Sequence, residues 1–213
     1  MGLGGYSYLT RKTAIIIGNG KLQRDLSEIV DQAEFAMRFN EPKASIGMSG
    51  SRTDILMLAA SSKPMQRRLS DPSFLTSATF TAAKEIVLAY HPDIISKYHP
   101  KPNFLSRLKG RKSDWTMRTI ELVGAAGKEI RIMPPQFYIE GCKELGVTQC
   151  RMHLLFPSTG FFGIRYALSR LPAEEWDVKL CGFSWEGWKR HAWLDERRWV
   201  EDKMANGRIG MLA

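Results

Sequence analysis

Three short stretches of the chain hold residue types that could do chemistry. Near the start, Gly18-Asn19-Gly20 follows the β-branched run Ala14-Ile15-Ile16-Ile17. Where a buried strand ends in such a turn, an open α/β sheet offers backbone N–H groups to an anion. A dinucleotide fingerprint would put a third glycine at position 23, where Gln23 stands, and a phosphate loop would continue with Lys then Ser or Thr, where Lys21-Leu22 stands. The turn matches neither motif, and it serves equally as a tight turn whose glycines accept positive φ. Farther on, Pro157-Ser158-Thr159-Gly160 precedes the apolar segment 161–171. This places a hydroxyl at a helix N-cap, able to hold a backbone N–H or to meet an incoming phosphate. Third, His191 stands among Trp185, Trp188 and Trp193 and directly after Lys189 and Arg190. An imidazole so placed is expected to hold its proton less tightly than the usual pKa of about 6.5 implies, which suits a general base. The same histidine also fits a structural position ahead of a helix whose first turn carries Asp195 and Glu196 against the helix dipole.

Apolar periodicity says which elements must position these groups. Strands are predicted over 14–17, 34–39, 54–60, 85–90, 129–133 and 178–183, from apolar or β-branched runs ended by Gly or Pro. Helical spacing predicts helices over 21–31, 114–126, 136–145, 159–171 and 193–205. Alternation of the two types predicts an α/β sandwich with a mostly parallel sheet, the 178–183 strand closing it near the C-terminus. Residues 91–113 hold Pro92, Pro100 and Pro102 and the basic Arg107, Lys109, Arg111 and Lys112. They read as the least ordered stretch, a basic loop or lid.

Composition bounds the remaining choices. With 213 residues, 44% hydrophobic and 25% charged, the chain reads as one globular domain over 1–213. Lys and Arg exceed Asp and Glu by 31 to 22, a net charge of +9 that favours anionic partners: phosphosugars, sugar nucleotides, nucleic acid or an acidic membrane surface. No apolar run approaches the roughly 20 residues that cross a bilayer, and the first eleven residues lack the pattern of an export signal. A cytoplasmic chain, in peripheral contact with the inner face of an anionic membrane, is the expectation. Cys142, Cys150 and Cys181 are an odd number without metal-ligand spacing and read as buried thiols in a reducing compartment. No Asp-x-Asp motif is present, and His91, His99, His153 and His191 are not spaced as a metal cage, so no metal cofactor is expected.

Taken in order, the three stretches resemble the sialyltransferases, family 29 of the glycosyltransferases. The family's long motif is similar to Ala14 through Gly20, then Arg38-Phe39-Asn40, then Gly50-Ser51-Arg52-Thr53-Asp54. Its short motif is similar to Pro157-Ser158-Thr159-Gly160 with Val178 through Phe183, and its very short motif, His then four residues then Glu, to His191 and Glu196. The resemblance implies a three-layer Rossmann-like sandwich, a variant of the GT-A type, and a metal-independent inverting transfer. The donor would be the CMP ester of an acidic 2-keto sugar: sialic acid, 3-deoxy-manno-octulosonate or a related ulosonic acid. The acceptor would be a glycan or lipid-linked glycan, as in lipopolysaccharide or capsule. By analogy Gly18, Asn19, Gly20, Arg38, Asn40, Ser158, Thr159 and Gly160 bind the nucleotide sugar. Arg52, Lys189 or Arg190 supplies a cation for the departing cytidylate, and His191 takes the acceptor proton. Asp195, four residues on, could orient the imidazole, while Glu196, five on, would serve the fold more than the base. The family's phosphate-contacting histidine motif is replaced here by 185–190, so phosphate is held differently or the donor differs. A closer resemblance is to short bacterial proteins often labelled urease operon accessory proteins, which share the Gly182-Phe183 to His191 ending and Glu196-Arg197-Arg198. It implies a second reading, a non-catalytic nucleotide-binding or accessory protein. Nucleic acid is not the expected partner, since this many cations more often form a solvated face.

Overall fold

The computed structural model describes residues 10–41 and 47–212; the first nine residues, part of the stretch read above for an export signal, lie outside it. Seven strands form one sheet: β1 Lys12–Ile17, β2 Phe35–Phe39, β3 Ile55–Leu58, β4 Glu85–Leu88, β5 Glu129–Ile132, β6 Trp176–Cys181 and β7 Gly210–Met211. Their order is β5-β4-β3-β2-β1-β6-β7 and every pairing is parallel. β1 lies inside the sheet between β2 and β6, and Ala14 to Ile17 are all fully buried, as an unbroken apolar run between two parallel neighbours should be. β6 does not close the sheet: it pairs with β1 on one side and β7 on the other, a two-residue edge too short to leave a sequence signal.

Successive side chains of each strand point to opposite faces, which builds the three layers. On one face Ala14, Ile16, Met37, Phe39, Met57 and Val87 pack with Tyr138 of α8 (Pro135–Glu144), Phe161 and Phe162 of α9 (Thr159–Arg170) and Val200 of α10 (Trp193–Ala205). On the other, Leu56, Leu58, Ile86 and Leu88 pack with Met65 of α2 (Ser62–Leu69), Phe74 of α3 (Pro72–Thr76), Phe80 of α4 (Ala78–Ala82) and Val123 of α7 (Thr116–Ala125). Ile15, Ile17 and Ala36 meet Val30 of α1 (Ser27–Gln32) on that same second side of their strands.

Three further expectations change. The helix over 21–31 shrinks to α1, because Leu26 donates its amide to Met48 O and the Asp25 carboxylate accepts the Ser27 amide at 2.8 Å, so the helix starts at Ser27. The loop over 91–113 contains α5 (Pro92–Tyr98), anchored by buried Ile94, Ile95 and Tyr98, and α6 (Phe104–Leu108), which has no buried residue. Of the three cysteines, Cys142 and Cys181 are buried, but Cys150 is exposed within the 3-10 turn Gln149–Arg151.

Candidate active site

The strand order reverses beside β1. The chain leaves β1 toward β2 and eventually leaves β6 toward β7, so the two loops diverge at the carboxyl ends of adjacent strands. Such a switch point opens the crevice where α/β sheets bind ligands. Here the crevice is lined by the Gly18 to Gly20 turn after β1, Asn40 after β2, Ser158 to Gly160 at the start of α9, Gly182 to Glu186 after β6, and His191 and Trp193 ahead of and within α10. It encloses about 260 Å³. The glycines are needed because the two loops touch: Gly18 N donates to Cys181 O at 2.8 Å and Gly20 N to Gly182 O at 2.7 Å. A Cβ on Gly18 would overlap Gly182 O, and Gly182 itself sits at φ +69. Gly20's amide is therefore spent on the fold and is not presented to a ligand.

Asn40 adopts φ +51, a left-handed conformation that Asn tolerates better than most residues. Its Oδ1 accepts the Ala59 amide at 3.0 Å, so the side-chain amide nitrogen remains as a donor at a residue that lines the crevice. At the α9 terminus Ser158 is bound within the fold. Its Oγ accepts the Phe161 amide at 3.0 Å as an N-cap and donates to Glu196 Oε2 at 2.6 Å, while its amide donates to Glu196 Oε1 at 2.8 Å. Glu196 is wholly buried, and burial pushes its carboxyl up to about 7. The amides of Thr159 and Gly160, next in the turn, have no protein acceptor among the described residues and carry the positive end of a 12-residue helix. Thr159 Oγ1 lies 3.3 Å from the buried Tyr90 hydroxyl.

His191 Nδ1 contacts the Phe156 carbonyl oxygen at 2.6 Å, which leaves Nε2 as an acceptor. Trp188 and Trp193 meet the ring edge-to-face at 5.0 and 4.7 Å. Its proton affinity is lowered, first by burial and then by nearby His99, with the Phe156 contact opposing. The expected lowering is thus present, with burial and not Lys189 or Arg190 as its main cause.

A second cavity of about 740 Å³ shares Asn40, Thr159 and His191 with the first. Lys63, Arg68, Lys101, Arg111, Lys112 and Arg190 line it, and among the described residues no carboxylate does. Trp188, stacked at 5.5 Å on His99, supplies an aromatic wall. The Arg68 guanidinium, largely buried in α2, pairs with Glu41 at 3.8 Å, and burial lowers its pKa to about 10. The three non-glycine residues with positive φ among the described residues, Asn40, Ser62 and Trp185, all line one cavity or the other. Ser62, Arg68, His99 and Trp185 were not singled out as site residues by motif or spacing, because neighbours in sequence gave no sign of what the fold places opposite them.

Several expected site residues lie elsewhere. Arg38 is 1% exposed, and its guanidinium donates to Arg52 O at 3.1 Å, Ser49 Oγ at 2.9 Å, Gly50 O at 3.0 Å and Ser49 O, holding the 49–52 segment. Arg52 precedes β3, at the opposite end of the parallel sheet from the crevice, where it pairs with Asp54 at 3.1 Å and donates to Glu34 O. Lys189 is exposed and lines neither cavity. Asp195 does not orient the imidazole: its nearest cation is Arg198 at 4.0 Å, and a backbone carbonyl holds His191 instead. Glu196 positions the α9 turn through Ser158 and does not reach the ring.

No family profile matches the chain. It is similar to a curated relative, the urease operon 23 kDa accessory protein of Rhizobium meliloti (strain 1021), 26% identical over 208 residues that cover 94% of this chain and 93% of the relative. Its fold is similar to that of a mammalian sialyltransferase, with TM-score 0.57 at 14% identity over 95% of this chain and 69% of the other. The same enzyme class in complex with Gal-beta-1-3GalNAc-ortho-nitrophenol gives 0.55 at 13% identity, covering 95% and 69%. The sialyltransferase CstII from Campylobacter jejuni, in complex with a substrate analogue, cytidine-5'-monophosphate, gives 0.52 at 12% identity, covering 94% and 78%. The chain thus has a sialyltransferase-like α/β fold.

Proposed function

We propose that this chain is a metal-independent inverting glycosyltransferase that moves an acidic 2-keto sugar from its CMP ester to a hydroxyl of a glycan or lipid-linked glycan. One observation carries the reading: His191 lies where the glycine-lined crevice meets the larger cationic cavity. A transferase base must stand there, between a donor on one side and an acceptor on the other.

In this reading the cytidylate occupies the smaller crevice, with its phosphate at the Thr159 and Gly160 backbone amides and the Asn40 side-chain amide nitrogen. The Phe183 and Trp185 rings, stacked at 5.4 Å, form a flat wall for the base. The acceptor hydroxyl enters from the larger cavity and gives its proton to His191 Nε2. Its oxygen bonds to the anomeric carbon as the bond from that carbon to the phosphate oxygen breaks on the opposite face, which inverts the centre. Cytidylate leaves with the bonding electrons, and helix-end amides aimed at its growing charge lower the barrier. The three strained residues are spent on cavity walls, as strain held at functional sites tends to be.

A second reading, a non-catalytic nucleotide-binding or accessory protein, is favoured by the name of the curated relative, which this chain matches over nearly its whole length. A thermal-shift and calorimetric titration with CMP, UMP, AMP and GMP in EDTA separates the two when followed by incubation with CMP-activated ulosonic acids. Selective CMP binding with CMP release from an ester is the expected outcome. Tight CMP binding with no release in the presence of candidate acceptors supports the nucleotide-binding form of the second reading, and no nucleotide binding overturns the transferase reading and leaves an accessory role.

A further inference from the structure

Between Asp93 and Asp114 the chain carries Lys97, Lys101, Arg107, Lys109, Arg111 and Lys112 and no carboxylate. In the middle of this stretch α6 turns three large apolar side chains into solvent: Phe104 is 71% exposed, Leu105 69% and Leu108 69%. Phe104 and Leu108 are four apart and Leu105 and Leu108 three apart, so on one helical turn they form a single apolar face. Scattered exposed apolar residues need no explanation, but a contiguous group rimmed by cations marks an interaction surface. The helix is also tied to the cationic cavity. Ser106, between the apolar residues, lines that cavity and accepts from Arg111 Nη1 at 3.4 Å, while Lys101, Arg111 and Lys112 on either side of α6 line it as well.

We infer that α6 is a membrane-seating element: Phe104, Leu105 and Leu108 enter the headgroup boundary of an anionic bilayer while Arg107 and Lys109 lie on its surface. Charge complementarity selects this occupant, because a segment with six cations and no acid repels a second copy of itself and is drawn to an anionic leaflet. Seated in this way, the protein opens the cationic cavity toward the headgroups. The acceptor is then an anionic headgroup that need not leave the membrane, a step that rests on the transferase reading, whereas the seating itself does not.

Co-sedimentation of the full chain with vesicles tests the seating without any nucleotide or sugar. The protein is expected to pellet with phosphatidylcholine vesicles containing phosphatidylglycerol and to stay in solution with phosphatidylcholine alone, and binding to weaken as salt rises. The F104S/L105S/L108S variant is expected to lose about tenfold or more in vesicle affinity with an unchanged melting temperature, and R107Q/K109Q to lose a similar amount at low salt. Leu194→Ser, which removes a side chain 79% exposed on α10, is expected to bind as the parent does. The inference is overturned if the parent stays in solution with anionic vesicles, if the triple serine variant binds as well as the parent, or if sedimentation velocity shows a dimer that this variant dissociates. Vesicle binding without CMP binding would end the transferase reading and leave the seating intact; CMP binding without vesicle binding would do the reverse.

Discussion

His191 Nδ1 lies 2.6 Å from the carbonyl oxygen of Phe156, the residue that leads into the Ser158 turn. A carbonyl can only accept, so Nδ1 carries the hydrogen and the free nitrogen is a base. Burial keeps the ring's pKa below its usual 6.5, so the neutral form is present at pH 7. We expect His191→Ala to lower kcat by about a hundredfold or more, and the parent's rate to fall on the acid side with an inflection below 6.5. Asp195→Asn is expected to leave that inflection in place. Steady-state rates against pH for the three proteins check this, and an inflection that moves with Asp195→Asn would return the orienting role to the carboxylate.

Glu196 predicts a stability profile of the opposite kind. Its carboxyl is raised from 4.5 to about 7, chiefly by burial, so between those values the folded chain holds more protons than the unfolded one. Linkage then makes its contribution fall as pH rises through this window and level off above it, by about 3 kcal/mol in all. Urea melts of the parent and of Glu196→Gln across that window should converge at the acid end and separate toward neutrality, the variant being the flatter. Parallel curves would show that the carboxyl ionises freely in the fold.

Gly18→Ala places a methyl against the Gly182 backbone oxygen. Neither partner is a side chain that could swing away, so β1 and β6 must part at the switch point. We expect a loss of about 2 kcal/mol in stability, together with a larger fractional loss of CMP affinity than the stability change explains. Differential scanning calorimetry with and without CMP measures both, and an alanine variant with unchanged affinity would remove the turn from the nucleotide site.

Much of this geometry was legible in the chain, and the parts that were not share a physical cause. Strands such as Ala14 to Ile17 are buried on both faces, so their composition announces them, and the Gly18 and Ser158 turns follow from what bounds them. Arg38 and Arg52 were read as ligands to an anion because charge in a motif says nothing of direction. Alternation along β2 sends Arg38 to the face away from α9, and Arg52 enters β3 at the end of the sheet remote from the crevice. The helices α3 and α4 were missed because five residues are too few for a period, and each is held by a local cap instead: Asp71 accepting from Ser73 N and Ser77 accepting from Phe80 N. The larger cavity was invisible because its cations come from stretches far apart in the chain, Lys63 and Arg68 from α2, Arg111 from the segment after α6 and Arg190 from the loop before α10.

Asn40 offers the sharpest test of the nucleotide site, because one substitution separates its two tasks. The Ala59 amide must be met by an oxygen, and Asn40→Asp keeps one there at an unchanged backbone, since Asp also tolerates the φ of +51. What changes is the other arm, from an amide N–H donor to an anionic oxygen. If that arm meets phosphate, Asn40→Asp should weaken CMP binding by about tenfold or more, the worth of a lost charge-assisted contact plus a repulsion, while the melting temperature without ligand stays near the parent's. Asn40→Ala, which removes both arms, should lower the melting temperature as well as the affinity. Calorimetry with CMP and with cytidine completes the argument: the aspartate penalty should be large for CMP and small for cytidine, and an equal penalty for both would place Asn40 against the nucleoside and not the phosphate.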